Sequence, residues 1–206
     1  MKKIALLCVS LLFISVLSTN TFAQLKFGAK AGLNIATING DDADAMDSKT
    51  GLVLGGFMTY QFSHMFAVQP EILYSMKGAK ADGNGSKVTF SLNYIEIPVL
   101  VKFLIPIEGD SKIYPALYAG PSIAFNVSSE YEIEQNGNSQ TNNLDDETSS
   151  IDFGLAFGGS IAFPVTPNNQ LGADFRYTFG LTSVDDSGTD LDLKNGVFSI
   201  TAFFTF

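Results

Sequence analysis

Along most of this sequence, charge falls on only one side of a strict two-residue alternation. In residues 25–35, Leu25, Phe27, Ala29, Ala31, Leu33 and Ile35 share one face, opposite Lys26, Gly28, Lys30, Gly32 and Asn34. In residues 94–103, Ile95, Ile97, Val99, Val101 and Phe103 oppose Tyr94, Glu96, Pro98, Leu100 and Lys102. Residues 151–163 set Asp152, glycine, alanine and Ser160 against Ile151, Phe153, Leu155, Phe157, Gly159, Ile161 and Phe163. Residues 171–181 set Asp174 and Arg176 against Leu171, Ala173, Phe175, Tyr177, Phe179 and Leu181. A period of two is strand geometry. The closing stretch 196–206 repeats it, with Phe198, Ile200, Ala202, Phe204 and Phe206 on one face.

The placement of charge decides which face is outside. A soluble barrel presents many charges outward, whereas here the apolar face carries none. The other face is rich in glycine and small residues, which leave room for long side chains in a narrow lumen. A basic residue facing the middle of a bilayer costs about 2–4 kcal/mol. Turning several such strands over together would exceed the margin of an ordinary domain, about 5–15 kcal/mol. The charges are therefore expected to point inward and the apolar face to meet lipid.

Strands are expected near 25–37, 51–62, 66–78, 87–104, 113–127, 151–163, 169–182 and 196–206. The connections alternate between short turns (63–65, 105–112, 164–168) and mostly longer polar loops (38–50, 79–86, 128–150, 183–195). Short periplasmic turns and longer external loops are the outer-membrane arrangement. The expected fold is all-β: an eight-stranded antiparallel up-and-down transmembrane β-barrel over 24–206, with both termini periplasmic. Aromatic residues would form two girdles: Phe27, Tyr60, Phe62, Phe66, Phe103, Phe163 and Phe206 at one interface, and Tyr74, Phe125, Phe153, Phe179 and Phe198 at the other. Pro70, Pro98, Pro115 and Pro121 fall inside strands and remove ladder donors, so bulges or strand ends are expected there.

Extending the phase to 66–78 puts Glu71 and Lys77 inside. The inward set is then Lys26, Lys30, Glu71, Lys77, Glu96, Lys102, Asp152, Asp174 and Arg176, nearly balanced in sign. Eight strands enclose an interior that side chains can fill. Lys30, Glu71, Lys77, Glu96, Lys102, Asp174 and Arg176 are accordingly the candidate lumen network, a paired plug rather than a catalytic set. Phe198, Phe204 and Phe206 are the candidate assembly signal.

Residues 1–23 are expected to be a secretory signal: Lys2 and Lys3, an apolar run over 4–17, then Thr21-Phe22-Ala23 before Gln24. The run is shorter than the roughly 20 residues of a membrane helix. Cys8 lies within it and is the only cysteine, so no thiolate site or disulfide is expected in the remainder. The net charge of −9 excludes nucleic acid as an expected partner. No phosphate loop or dinucleotide fingerprint occurs. The single histidine, His64, reads as a turn residue, and no second histidine supports a zinc site. The loops are acidic, with Asp41, Asp42, Asp44 and Asp47 in the first, Glu130, Glu132, Glu134, Asp145, Asp146 and Glu147 in the third, and Asp185, Asp186, Asp190 and Asp192 in the fourth. Oxygen-rich loops could take divalent cations, but the spacing matches no EF-hand, and solvated loops are the expectation.

The segments QPEILYSMKG (69–78), YIEIPVLVKF (94–103), YAGPSIAF (118–125), DFGLAFGGSIAF (152–163), FRYTFGLTSV (175–184) and KNGVFSITAFFTF (194–206) resemble the PorT-like outer-membrane β-barrel family. The resemblance implies a barrel in the cell outer membrane, inserted by the barrel-assembly machinery, with no catalytic motif to carry over. The reading of the whole chain is a non-enzymatic membrane anchor with a filled lumen, surrounded by outer-membrane lipid and needing no cofactor. Loops 38–50, 128–150 and 183–195 would be offered to a protein partner for surface interaction or envelope integrity. An accessory subunit of a protein-secretion machinery and a small pore are the alternatives.

Overall fold

The computed structural model describes residues 24–40, 46–83, 86–107, 112–135, 138–144, 148–185 and 193–206. The expected signal at 1–23 lies outside them, as do Asp41, Asp42, Asp44, Asp145, Asp146, Glu147, Asp186, Asp190 and Asp192. The described strands are β1 (Gln24–Asn39), β2 (Asp47–Gln61), β3 (Phe66–Gly83), β4 (Ser86–Leu104), β5 (Tyr114–Gln135), β6 (Asn138–Asn143), β7 (Ile151–Pro164), β8 (Gln170–Gly180) and β9 (Lys194–Thr205). All pair antiparallel, in the order β4-β3-β2-β1-β9-β8-β7-β5-β6, and β4 also pairs with β5. That last pairing closes eight strands into a barrel and leaves β6 outside the closure. The seam between first and last barrel strands runs from Gly28↔Thr205 to Asn39↔Lys194.

The two faces of the wall follow the charge argument. Leu33, Ile35, Leu52, Ile72, Val101, Phe157, Leu171 and Ile200 are each roughly half exposed on the outside. Lys30, Glu71, Lys77, Glu96, Asp152, Asp174 and Arg176 are buried inside, while Lys26 and Lys102 are partly buried at one end. We call that end, which holds the turns 62–65 and 165–169 and the ends of β4 and β5 at Leu104 and Tyr114, the turn end. Aromatic rings line its outer surface: Phe62 stacks on Phe66 with centroids 6.4 Å apart, and Phe66 meets Phe103 at 5.5 Å.

The expected loops 79–86 and 128–150 are corrected by the structure. β3 and β4 run on to Gly83↔Ser86, so the polar residues there are strand rather than loop. β5 continues to Gln135 and pairs with β6, from Glu130↔Asn143 to Gln135↔Asn138. β3, β4, β5 and β6 thus form a sheet that rises past the rim beyond the last pair of β5 with β7, Phe125↔Ile151. One face of it carries Glu130, Glu132 and Glu134 beside Lys87, Thr89 and Ser91; Ser139 donates a hydrogen bond to Glu132. Phe90 and Tyr131 occupy the other face, with ring centroids 6.5 Å apart. Cross-strand pairs of this kind stabilise a ladder without a barrel behind it.

The prolines sit in ladder interruptions rather than in bulges. Pairing of β3 with β4 breaks between Pro70↔Val99 and Leu73↔Glu96 and resumes in the same register. β4 and β5 do the same between Pro98↔Ser122 and Val101↔Ala119, across Pro121. Pro115 lies one residue inside the start of β5, where the expectation of a strand end holds. The register shifts fall elsewhere, between Ser48 and Val53 and between Asn93 and Tyr94. Gly158 shows why small residues line the lumen: a Cβ there would lie 2.1 Å from the Phe175 carbonyl oxygen and 2.6 Å from the Tyr118 hydroxyl.

Candidate functional site

Strands β1, β3 and β8 carry Lys30, Glu71, Asp174 and Arg176 to one level of the lumen. Glu71 Oε1 accepts from Lys30 Nζ at 3.0 Å and from Arg176 Nη2 at 2.9 Å. Lys30 Nζ is also 3.7 Å from Asp174, and Arg176 Nη2 is 4.0 Å from it. Two cations thus share two carboxylates in a closed ring. Lys77 and Glu96 form a second pair at 3.1 Å, with Ser122 donating to Glu96 at 2.9 Å. The Lys77 ammonium sits 4.9 Å from the Tyr94 ring centroid. Buried charges are tolerated when paired and hydrogen-bonded; each of these charges is ion-paired, and Arg176 Nε is left without a hydrogen-bond partner.

The remaining three charged positions are not ion-paired among the described residues. Asp152 accepts from Asn195 at 2.8 Å and from Thr182 at 3.1 Å, toward the end opposite the turns. Lys102 donates to Gln69 Oε1 at 3.0 Å, and Gln69 in turn donates to Glu71 at 2.6 Å. Lys102 therefore reaches the ring only through a neutral amide, which its inclusion in a charged network did not anticipate. Lys26 faces a cavity at the turn end that His64 also borders.

Neutral polar residues complete the interior. Asn34 donates to Ser75 at 2.9 Å and accepts from Ser199 across the seam at 2.8 Å. Gln69, Ser122, Thr182 and Asn195 were not singled out from the sequence; Gln69 shares the inward phase of Glu71, whereas Asn195 fell in the expected loop 183–195 and lies in β9. Apolar clusters pack beside the polar groups. Leu100, Tyr118 and Ala156 make one, and Phe57, Ala162 and Phe203 another, with the two phenylalanine rings 5.9 Å apart at 84°. Beside the charged ring, Lys30, Asp174 and Arg176 line a cavity of about 10 Å³ together with Ser75, Glu96 and Ser199. Below Phe57 and Phe203 the lumen opens into a cavity of about 470 Å³ facing the turn end.

Among the described residues every carboxylate in the interior lies against a cation, an amide or a hydroxyl. Among the described residues no group of three or more histidine, cysteine or acidic side chains is placed to hold a metal ion. Phe198, Phe204 and Phe206 all point outward from the last barrel strand, 39%, 37% and 62% exposed.

Comparison with solved structures returns membrane barrels. A major outer membrane protein from Thermus thermophilus superposes with a TM-score of 0.52 at 15% identity, covering 88% of this chain and 99% of that one. Neisserial surface protein A gives 0.49 at 15% identity, covering 87% and 97%. Ail, the attachment invasion locus protein of Yersinia pestis, gives 0.46 at 16% identity, covering 88% and 98%. At such identities the likeness of the Thermus protein speaks for the fold alone. Comparison with curated proteins found no match. The family model described as outer membrane protein beta-barrel domain matches residues 21–186, from the start of β1 to the connection before β9. With a closed eight-stranded wall, an uncharged outer belt and that match, this chain belongs to the outer membrane protein beta-barrel domain family and is a protein of the outer membrane.

Proposed function

We propose that this protein is a non-enzymatic anchor: a barrel with a sealed lumen that holds the β3–β6 sheet, into which most of 128–150 is built, and the segments 38–50 and 183–195 at the cell surface, for surface interaction or envelope integrity. The observation that carries this reading is the middle of the lumen. Lys30, Asp174 and Arg176, with Val53, Leu73 and Val197, line a cavity there of about 10 Å³, room for a single water. Lys30, Glu71, Lys77, Glu96, Asp174 and Arg176 act in this reading as the plug, and Lys102 is tied to it through Gln69. In planar bilayers the purified protein should give no stepwise single-channel conductance; regular steps would overturn the sealed lumen.

In this proposal both termini and the turn end face the periplasm, and the projecting sheet faces outward. Ser139→Cys in β6 should react with a membrane-impermeant maleimide on whole cells. His64→Cys in the 62–65 turn should react only after the outer membrane is permeabilised. The opposite pattern would invert the orientation. Phe198, Phe204 and Phe206, presented on one outward stripe, are the residues we assign to recognition by the barrel-assembly machinery. A second reading follows the PorT-like resemblance, with the barrel as accessory subunit of a secretion machinery. It is favoured by the open cavity at the turn end, which would face periplasmic partners. Crosslinking in intact envelopes distinguishes the two, since only the accessory subunit should co-purify with a stoichiometric partner.

A further inference from the structure

The interior charges are sorted along the barrel axis, and the sorting leaves two lysines over at the turn end; Lys49, buried on β2, instead donates to the Lys77 carbonyl at 3.2 Å. Glu71 and Asp174 serve Lys30 and Arg176, and Glu96 serves Lys77. Asp152, near the opposite end, is held by Asn195 and Thr182. Among the described residues no carboxylate lies within ion-pair distance of Lys26 or Lys102, and both line the cavity of about 470 Å³ at the turn end. No acidic residue lines that cavity among the described residues. Lys102 uses one donor on Gln69 Oε1 at 3.0 Å, and an ammonium has three. Partly buried cations in a low-dielectric wall, with no carboxylate at ion-pair distance, focus a positive potential into the space they line.

The rest of the lining describes the other end of a ligand. Phe57 and Phe203 form a dry floor, and Ile105, Ile107 and Ile113 form an apolar rim. The volume lies within the roughly 300–1,000 Å³ of small-molecule sites, which combine apolar walls with a few convergent polar groups. We propose that this cavity binds a small amphipathic carboxylate, its charged group held by Lys26 and Lys102 and its apolar body against the phenylalanine floor and isoleucine rim. This goes beyond the anchor role and does not depend on it, because the sealed ring lies deeper in the lumen.

The test uses the full barrel in nanodiscs of zwitterionic phosphatidylcholine, with lysine side chains carbon-13 methylated for NMR. Octanoate is the probe, with acetate and octyltrimethylammonium as arms that lack the tail or reverse the charge. Octanoate should shift the Lys26 and Lys102 signals saturably. Acetate should bind about tenfold more weakly or worse, and the ammonium should not saturate. Lys102→Gln should weaken octanoate by about tenfold or more, the loss of one charge-assisted hydrogen bond, while Lys102→Arg should retain binding. Heat-modifiable gel migration checks that each variant is folded. Equal binding of the ammonium would leave only a greasy cavity, and equal binding of acetate would remove the apolar body from recognition; either overturns the proposal. So does the absence of saturable octanoate binding. Glu108 and Asp110, between Ile107 and Lys112 in sequence, lie outside the described residues. If octanoate binds only after Glu108→Gln and Asp110→Asn, the lysines are served by the chain's own carboxylates and the proposal also fails.

Discussion

Glu71→Leu is expected to destabilise the folded barrel by about 3–5 kcal/mol, the usual result of removing one member of a buried ion pair. Glu71 accepts from both Lys30 and Arg176, so its loss leaves two buried cations facing a single carboxylate, Asp174, at 3.7 and 4.0 Å. It also removes the acceptor of the Gln69 amide. Water cannot readily relieve the deficit, because the ring is closed on the turn side by Phe57 and Phe203 and holds space for one water. Urea unfolding of the protein in lipid vesicles gives the change directly. The double variant Glu71→Leu with Arg176→Met should recover part of the loss, since it leaves Lys30 with Asp174 and no second cation to satisfy. A loss below about 1 kcal/mol would place the pair among weakly coupled, hydrated ones and would undo the sealed ring on which the anchor reading rests.

The wall of the barrel was legible in the sequence because lipid leaves few choices. A charge-free face repeated over several strands admits one orientation, and Lys30, Glu96, Asp152 and Arg176 all fall on the side that the alternation assigns. The partners inside were less legible. Glu71 and Arg176 are 105 residues apart, and their meeting depends on the relative stagger of β3 and β8, which side-chain period does not encode. Neutral residues such as Gln69 and Asn195 share the inward phase with glycine and serine, so nothing in composition marks them as the links that hold Lys102 and Asp152. The projecting sheet escaped notice for a different reason. In NSQTNN (138–143) both faces are polar and all six residues are exposed, so no alternation distinguishes strand from loop. Its identity comes from backbone pairing with β5, which is a property of the partner as much as of the segment. Glu130, Glu132 and Glu134 read as a solvated acidic loop until that pairing places all three on one face of a strand.

The outward belt can be tested by depth as well as by side. Phe157 sits midway along β7, 47% exposed. Phe157→Arg should therefore cost about 2–4 kcal/mol, the penalty for a basic side chain at the bilayer midplane. Phe163, equally exposed but one residue from the turn end of the same strand, lies where the penalty falls to about 0–1 kcal/mol. Phe163→Arg should be nearly neutral. Part of the Phe157 effect is not electrostatic, because its ring packs on Tyr177 with centroids 5.6 Å apart, a contact worth about 0.5–1.5 kcal/mol. Phe157→Leu removes that contact and keeps the position apolar, so the difference between the arginine and leucine variants isolates the charge. Urea titrations in lipid vesicles should show the difference at 157 and little at 163. In an aqueous setting the same arginine would be solvated at either position and the depth dependence would vanish. Equal costs at the two positions would mean that the apolar face of β7 meets something other than a bilayer, and the inward assignment of every charge in the lumen would lose its physical reason.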